Sequence, residues 1–296
     1  MRPKTGLFRL IHLCLATLFL SVLTLLPLHK ESPKVLSAVT PPIVRISSKG
    51  QQVPIISARG IMIADPVSGD ILYTQGSNER FYPASTTKIA TALVALSAFQ
   101  EDQVLTVGEG YKAAGNKVKF YENEQLTVKS LLYGLLVPSG NDAAMILAES
   151  YPDGGYPGFV TKMNSLVHEL GLTDTHFTNP SGVNNPDHYT TVRDLTLLAI
   201  NAIRHPLIRE IVGTKSHTIS DVTGTFKHDL ESTNLLLDLE GVKGLKTGWT
   251  PESGECLVTY VVRNDLPLII TVLDSKDRFT DSKILIDWAY QNFSNK

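Results

Sequence analysis

Three short stretches of this chain carry side chains that could do covalent chemistry together. Ser85-Thr86-Thr87-Lys88 sets a hydroxyl and an amine three residues apart, and on a helix positions i and i+3 share a face. A serine hydroxyl is a weak nucleophile until a base takes its proton. Lys88 can be that base only if burial and a neighbouring cation lower its pKa. At a helix start, Ser85 would also gain from the positive end of the helix dipole. Ser139-Gly140-Asn141 follows 54 residues after Ser85, and Lys246-Thr247-Gly248 follows 107 residues after Ser139. Each stretch alone also has a plain structural reading. Ser85 reads as an N-cap with a solvated lysine one turn on. Ser139 or Asn141 reads as a cap in an interhelical loop, and Lys246 as a lysine on an edge strand.

The elements that would hold these residues follow from the apolar pattern. Residues 58–65 read as a strand, Pro66 to Gly69 as a turn and Asp70 to Gln75 as a second strand, together a hairpin. Pro83 stops the chain, and Ala84-Ser85 open a helix to about Ala98, with Ile89, Ala92, Leu93 and Leu96 at helical spacing. Further helices are expected over Val128 to Val137, Asn141 to Ser150, Phe159 to Leu170 and Thr191 to Arg204. Strands are expected over Lys215 to Asp221, Thr225 to Leu230, Gly244 to Trp249, Glu255 to Arg263 and Pro267 to Leu273, then a last helix over Asp281 to Phe293. Strands at both ends of a helical block predict an α+β body, the first hairpin joining the later strands in one antiparallel sheet.

Composition excludes several classes. The 296 residues hold 43% hydrophobic side chains, two cysteines and a net charge of -2, which fits neither disorder nor a disulfide scaffold. Residues 1–52 hold seven basic groups and one acid, leaving 20 basic and 28 acidic groups beyond, a balance of -8. An acidic body is a poor match for phosphate backbones, so no nucleic-acid partner is expected. Leu10 to Leu28 is a 19-residue run without Asp, Glu, Lys or Arg, preceded by Arg2, Lys4 and Arg9. At ~1.5 Å per residue it reaches ~28 Å, enough for a bilayer core. Residues 1–30 are therefore expected to be a signal peptide or an N-terminal membrane anchor, with the body outside the cytoplasm. Pro33, Pro41 and Pro42 mark residues 31–52 as a linker, and residues 53–296 as the catalytic domain. Cys14 reads as a small apolar residue of the membrane run and Cys256 as a buried thiol. The eight histidines show no ligand spacing, so no metal or cofactor is expected. His176 and His188 read as structural hydrogen-bonding groups. Arg263 reads as a surface arginine, although the strand beside the third stretch would also let it reach a substrate carboxylate.

The three stretches, in this order and in these contexts, resemble the signature of penicillin-binding proteins and class A β-lactamases. The likeness extends to Tyr82-Pro83-Ala84 before Ser85, Asp142-Ala143-Ala144 after Asn141, and Trp249-Thr250 after Gly248. Phe177 to Gly182 and His188 to Thr191 are similar to the region connecting the motifs. The body, about residues 55–293, resembles the serine D-alanyl-D-alanine carboxypeptidases, the low-molecular-mass penicillin-binding proteins. This resemblance implies a β-lactamase/transpeptidase-like fold, an antiparallel sheet packed with helices plus a helical subdomain. It implies that Ser85 attacks the D-Ala-D-Ala bond of a peptidoglycan stem peptide, with Lys88 as base. Ser139 would relay the proton to the leaving amine, and Asn141 would bind the substrate amide or hold Lys88. Lys246 and Thr247 would meet the substrate carboxylate, Gly248 would let the peptide approach, and the N–H groups of Ser85 and Trp249 would hold the oxyanion. β-Lactams would acylate Ser85. Many members carry a further C-terminal β-rich domain and anchor helix, so tethering is expected at the N-terminus instead. A D,D-endopeptidase acting on cross-links is the alternative. A serine β-lactamase is a weaker one, because no E-x-x-L-N segment supplies a deacylating glutamate, and so is an inactive wall-binding homologue.

Overall fold

The computed structural model describes residues 52–108 and 115–294. The expected leader and all but the last residue of the expected linker lie outside them. Among the described residues the chain runs β1 (Gly60–Ala64), β2 (Ile71–Gln75), α1 (Lys88–Ala98), β3 (Val104–Thr106), β4 (Gln125–Thr127), α2 (Val128–Leu136), α3 (Asn141–Glu149) and α4 (Gly155–Glu169). It continues with α5 (Val192–Ile203), α6 (Pro206–Val212), β5 (Ser216–Ser220), β6 (Lys227–Glu231), β7 (Val242–Thr250), β8 (Gly254–Arg263), β9 (Leu266–Ser275) and α7 (Arg278–Asn292). None of these helices is long and apolar enough to cross a membrane.

One antiparallel sheet has the order β2-β1-β9-β8-β7. The first hairpin thus joins the last three strands through β9, as expected. Both faces of its centre are buried, and the side-chain alternation of period two divides them. Ile61 and Ile63 of β1, with Leu268, Ile270 and Val272 of β9, pack against Leu285, Ile286 and Ala289 of α7. Met62, Ala64, Ile269 and Leu273 face the other way, into the core built by the remaining helices. On that side, a buried hydroxyl pair joins Thr271 to Thr196 of α5 at 2.7 Å. β7 is an edge strand, which leaves one side of it open to a cleft.

The β5–β6 pair stands apart as its own hairpin instead of extending the sheet. Only Ile219, His228 and Leu230 of it are buried, so it has a single apolar face and cannot fill a sheet position buried on both sides. The short β3–β4 pair and α6 were not expected from the sequence. The helix expected from Ser85 also begins differently. Ala84–Thr87 is a 3-10 turn, and α-helical geometry starts at Lys88. In a 3-10 turn residues i and i+3 eclipse each other, so Ser85 and Lys88 line up more directly than on an α-helix.

Candidate active site

The turn that carries Ser85 is forced into place by backbone. Ala84 has φ 46°, a left-handed conformation costly for alanine, directly before Ser85. Two glycines let other segments close on it. A Cβ at Gly182, where φ is +84°, would lie 1.8 Å from the Ala84 carbonyl oxygen. A Cβ at Gly248 of β7 would lie 3.0 Å from the Pro83 carbonyl oxygen and 3.1 Å from Ser85 N. β7 and the Ser85 turn are therefore in direct backbone contact.

Lys88 is fully buried. Its Nζ lies 2.9 Å from Ser85 Oγ, 2.7 Å from Asn141 Oδ1 and 2.8 Å from the Ser181 carbonyl. The last two can only accept, so each takes one hydrogen of the amine. A neutral amine then has its lone pair left for Ser85 Oγ, the one of the three that can donate. Burial first, then the charge of Lys246, push the Lys88 pKa well below the ordinary lysine range, with Asp142 opposing. The Ser181 carbonyl is aimed by Asn179, whose Oδ1 accepts from the N–H groups of Ser181, Gly182 and Val183.

Ser139 also sits in the left-handed region, with φ 64°. Its Oγ accepts from Lys246 Nζ at 2.8 Å, and Lys246 donates as well to the Thr247 carbonyl at 3.0 Å. Burial and the charge of Arg278 lower the Lys246 pKa to about 7. Asp142 of α3 pins the segment before β4, accepting from Val118 N and Lys119 N at 3.0 and 2.7 Å. Thr247 Oγ1 pairs with Thr233 Oγ1 at 2.7 Å.

Ser85, Ser139, Asn141, Thr247, Gly248 and Trp249 line one cleft of about 610 Å³. Lys88 and Lys246 stand behind it, buried. All eight residues singled out from the sequence are thus brought together. Lys246 is not an exposed edge lysine but 1% exposed, so it reaches the cleft through Ser139. Asn141 holds Lys88. Arg263 lies elsewhere, on the Glu240 carbonyl and Asp287. His188 is buried. Its Nδ1 accepts from Thr178 N at 3.0 Å, so Nε2 carries the hydrogen and donates to Thr87 Oγ1 at 2.8 Å. Desolvation, then His176, lower its pKa to about 3, which keeps it a neutral brace. Cys256 is a buried thiol.

The sequence reading missed Arg278, which also lines the cleft. Its Nη1 donates to the Gly248 carbonyl at 2.9 Å, while its Nε is buried without a partner. The Gly248 carbonyl and the Trp249 N–H share one planar trans peptide, so Arg278 fixes the plane carrying that N–H. The available signal was a cation in the first turn of a helix, against the preference set by the helix dipole.

The family profile of D-alanyl-D-alanine carboxypeptidase matches residues 47–277. The D-alanyl-D-alanine carboxypeptidase DacF of Bacillus subtilis is 32% identical over 246 residues, 80% of this chain and 63% of that protein's length. The D-alanyl-D-alanine carboxypeptidase of Streptomyces sp. K15 is 37% identical over 80% of this chain and 88% of its own. The crystal structure of the Streptomyces K15 DD-transpeptidase superposes with TM-score 0.77 at 34% identity, covering 81% of this chain and 99% of that one. A D-alanyl-D-alanine endopeptidase of Escherichia coli is 30% identical over 79% of this chain and 78% of its own. The likeness spans fold and sequence together, and the chain belongs to the D-alanyl-D-alanine carboxypeptidase family.

Proposed function

We propose that this protein is a serine-type D-Ala-D-Ala carboxypeptidase that trims peptidoglycan stem peptides through an acyl-enzyme on Ser85. The observation that carries this reading is the buried Lys88 amine 2.9 Å from Ser85 Oγ, its other two partners being pure acceptors. Lys88 takes the hydroxyl proton as Oγ attacks the carbonyl carbon of the D-Ala-D-Ala bond. The N–H groups of Ser85 and Trp249 receive the oxyanion. Ser139, backed by the Lys246 ammonium, relays the proton held by Lys88 to the departing amine as the C–N bond breaks, which returns Lys88 to the neutral amine. Thr247 Oγ1 and the guanidinium of Arg278, which lines the cleft, receive the substrate carboxylate. Water, deprotonated by Lys88, then attacks the ester and returns Ser85. A β-lactam enters the same cleft and acylates Ser85.

The basic leader supports export, with residues 1–30 as signal or anchor, residues 31–52 as linker and residues 53–296 as the domain working outside the cytoplasm. Proteolysis of intact spheroplasts tests this: the body is degraded from outside if the reading holds and is protected if it does not. Intact mass after incubation with penicillin tests the chemistry. A lasting adduct on the wild type and none on Ser85→Ala is expected; rapid penicillin loss without adduct would indicate a β-lactamase. Free D-Ala from a pentapeptide, against cleavage of cross-linked dimers, separates carboxypeptidase from endopeptidase.

A further inference from the structure

The Ser181 carbonyl takes one hydrogen of the Lys88 amine at 2.8 Å, and its direction is set one peptide away. It shares a planar trans peptide with the Gly182 N–H, and the two point in opposite directions. The Gly182 N–H donates to Asn179 Oδ1 at 2.8 Å. The bond that draws this N–H one way therefore drives the carbonyl the other way, onto Lys88. The neighbouring peptides are fixed as well. Ser181 N and Val183 N donate to the same Asn179 oxygen at 3.2 and 3.1 Å. The Pro180 carbonyl accepts from the buried Thr91 Oγ1 of α1 at 2.6 Å. Gly182, with φ +84°, supplies the left-handed step that brings the three N–H groups together. Ser181, Gly182 and Val183 line the cleft, and Asn179 stands behind them, half-buried.

The chemistry of that oxygen carries the inference. Four donors converge on it, the fourth being the Ser181 hydroxyl at 3.1 Å. Such a set suits a carboxylate better than an amide, because an ionised acceptor makes the stronger bonds. The other end of the amide is used too, since Nδ2 donates to the Val183 carbonyl at 2.9 Å. A carboxylate here would be linked to Lys88 through a single peptide group, and its charge would hold a proton on the amine. We propose that Asn179 is a positioning residue for acylation: it aims the Ser181 carbonyl at Lys88 and brings no charge, so the amine is both directed and able to accept the Ser85 proton. This rests on Lys88 as the base of the D,D-peptidase reading and goes beyond it, because Asn179 belongs to none of the three motifs and touches no reacting atom.

Asn179→Asp and Asn179→Ala test this in the full chain. The rate constant of benzylpenicillin adduct formation on Ser85 is followed by intact mass from about pH 5 to 9, with melting curves for both variants. A variant damaged only in its packing forms less adduct, but its folded fraction keeps the wild-type rate constant and acid limb. Asn179→Asp offers the donors an oxygen and adds a charge. Its acid limb should move up by about one pH unit, lowering the rate on that limb by about tenfold. Asn179→Ala lets the Ser181 carbonyl turn, and should slow acylation by about 10- to 100-fold with an acid limb no higher than in the wild type. A wild-type acid limb in Asn179→Asp, or folded Asn179→Ala acylating as fast as the wild type, would overturn the inference and leave the peptidase reading intact. If one variant does not fold, the other decides. No adduct on Ser85 in the wild-type protein would overturn the peptidase reading, and the inference with it.

Discussion

Gly248→Ala tests whether the contact between β7 and the nucleophile turn sets the catalytic geometry. The added Cβ would meet the Pro83 carbonyl oxygen at 3.0 Å, Ala84 Cβ at 3.1 Å and Ser85 N at 3.1 Å. The first and last are backbone atoms, and the Ala84 Cβ is fixed to backbone, so no side chain can swing away. Pro83 to Thr87 is tied further by the Thr86 hydroxyl on the Pro83 carbonyl at 2.6 Å. β7, held on one side only by β8, is the part that yields, by a few tenths of an ångström. That shift moves Trp249 N away from Ser85 N and opens the space between the two oxyanion donors. Complete loss of one such donor costs ~10²–10³ in rate, so a partial opening should slow acylation by about 10- to 100-fold. The assay is the rate of benzylpenicillin adduct formation by intact mass, with a melting curve to show that the variant is folded. Gly108→Ala is the control, since a Cβ there meets nothing within 4 Å, and it should acylate like the wild type. If folded Gly248→Ala acylates within about threefold of the wild type, the close approach does not set the oxyanion site and the argument fails.

Three further outcomes follow from the same geometry. The acylation rate should rise with pH as Lys88 passes its depressed pKa, then fall above about 7 as Lys246 loses its proton; a pH profile flat from 5 to 9 would contradict the roles given to both. Lys246→Met should abolish efficient acylation yet raise stability at neutral pH by ~1–4 kcal/mol, because a buried charge is replaced by an apolar chain. The sign follows from linkage: the folded pKa of about 7 lies below the ordinary 10.5, so the unfolded chain binds the extra proton between them and wild-type stability climbs across that window. Melting curves at pH 7 and 9 should show this climb in the wild type and a smaller one in Lys246→Met. Gly182→Ala should lose at least ~2 kcal/mol of stability, since its Cβ would sit 1.8 Å from the Ala84 oxygen at φ +84°; an unchanged melting temperature would refute that packing.

Much of the site was legible because its motifs are local. Ser85 and Lys88 sit three residues apart, and Lys246 to Gly248 are consecutive on the strand expected over Gly244 to Trp249. What escaped the sequence was long-range. Arg278 reaches the Gly248 carbonyl across 30 residues, and Asn179 acts on Lys88 only by turning the Ser181 carbonyl toward it. No periodicity reports such contacts. The detached β5–β6 hairpin was missed for a related reason: its strand pattern is correct, but pattern does not say which sheet a strand joins. The 3-10 start of the first helix was hidden because Pro83 and Ala84 give the same stop-then-helix signal for either geometry.

Backbone strain gives an account of the site that owes nothing to motifs. Among the described residues, seven other than glycine have positive φ: Ala84, Lys119, Asn123, Ser139, Asn264, Asp265 and Asp274. Asn and Asp tolerate that region, and Asn264-Asp265 form the tight turn between β8 and β9. The three remaining are Ala84, Lys119 and Ser139. Ala84 precedes Ser85, Ser139 meets Lys246, and Lys119 is held through its N–H by Asp142, one residue after Asn141. The other departures from stable design fall in the same place. Two lysines are buried, a cation begins the last helix, and a tryptophan stands exposed. Each is unfavourable by itself. A fold shaped only for stability would scatter or remove them. Their convergence on one cleft puts strain, buried charge and exposed aromatic surface together where the chemistry proposed for Ser85 would need them.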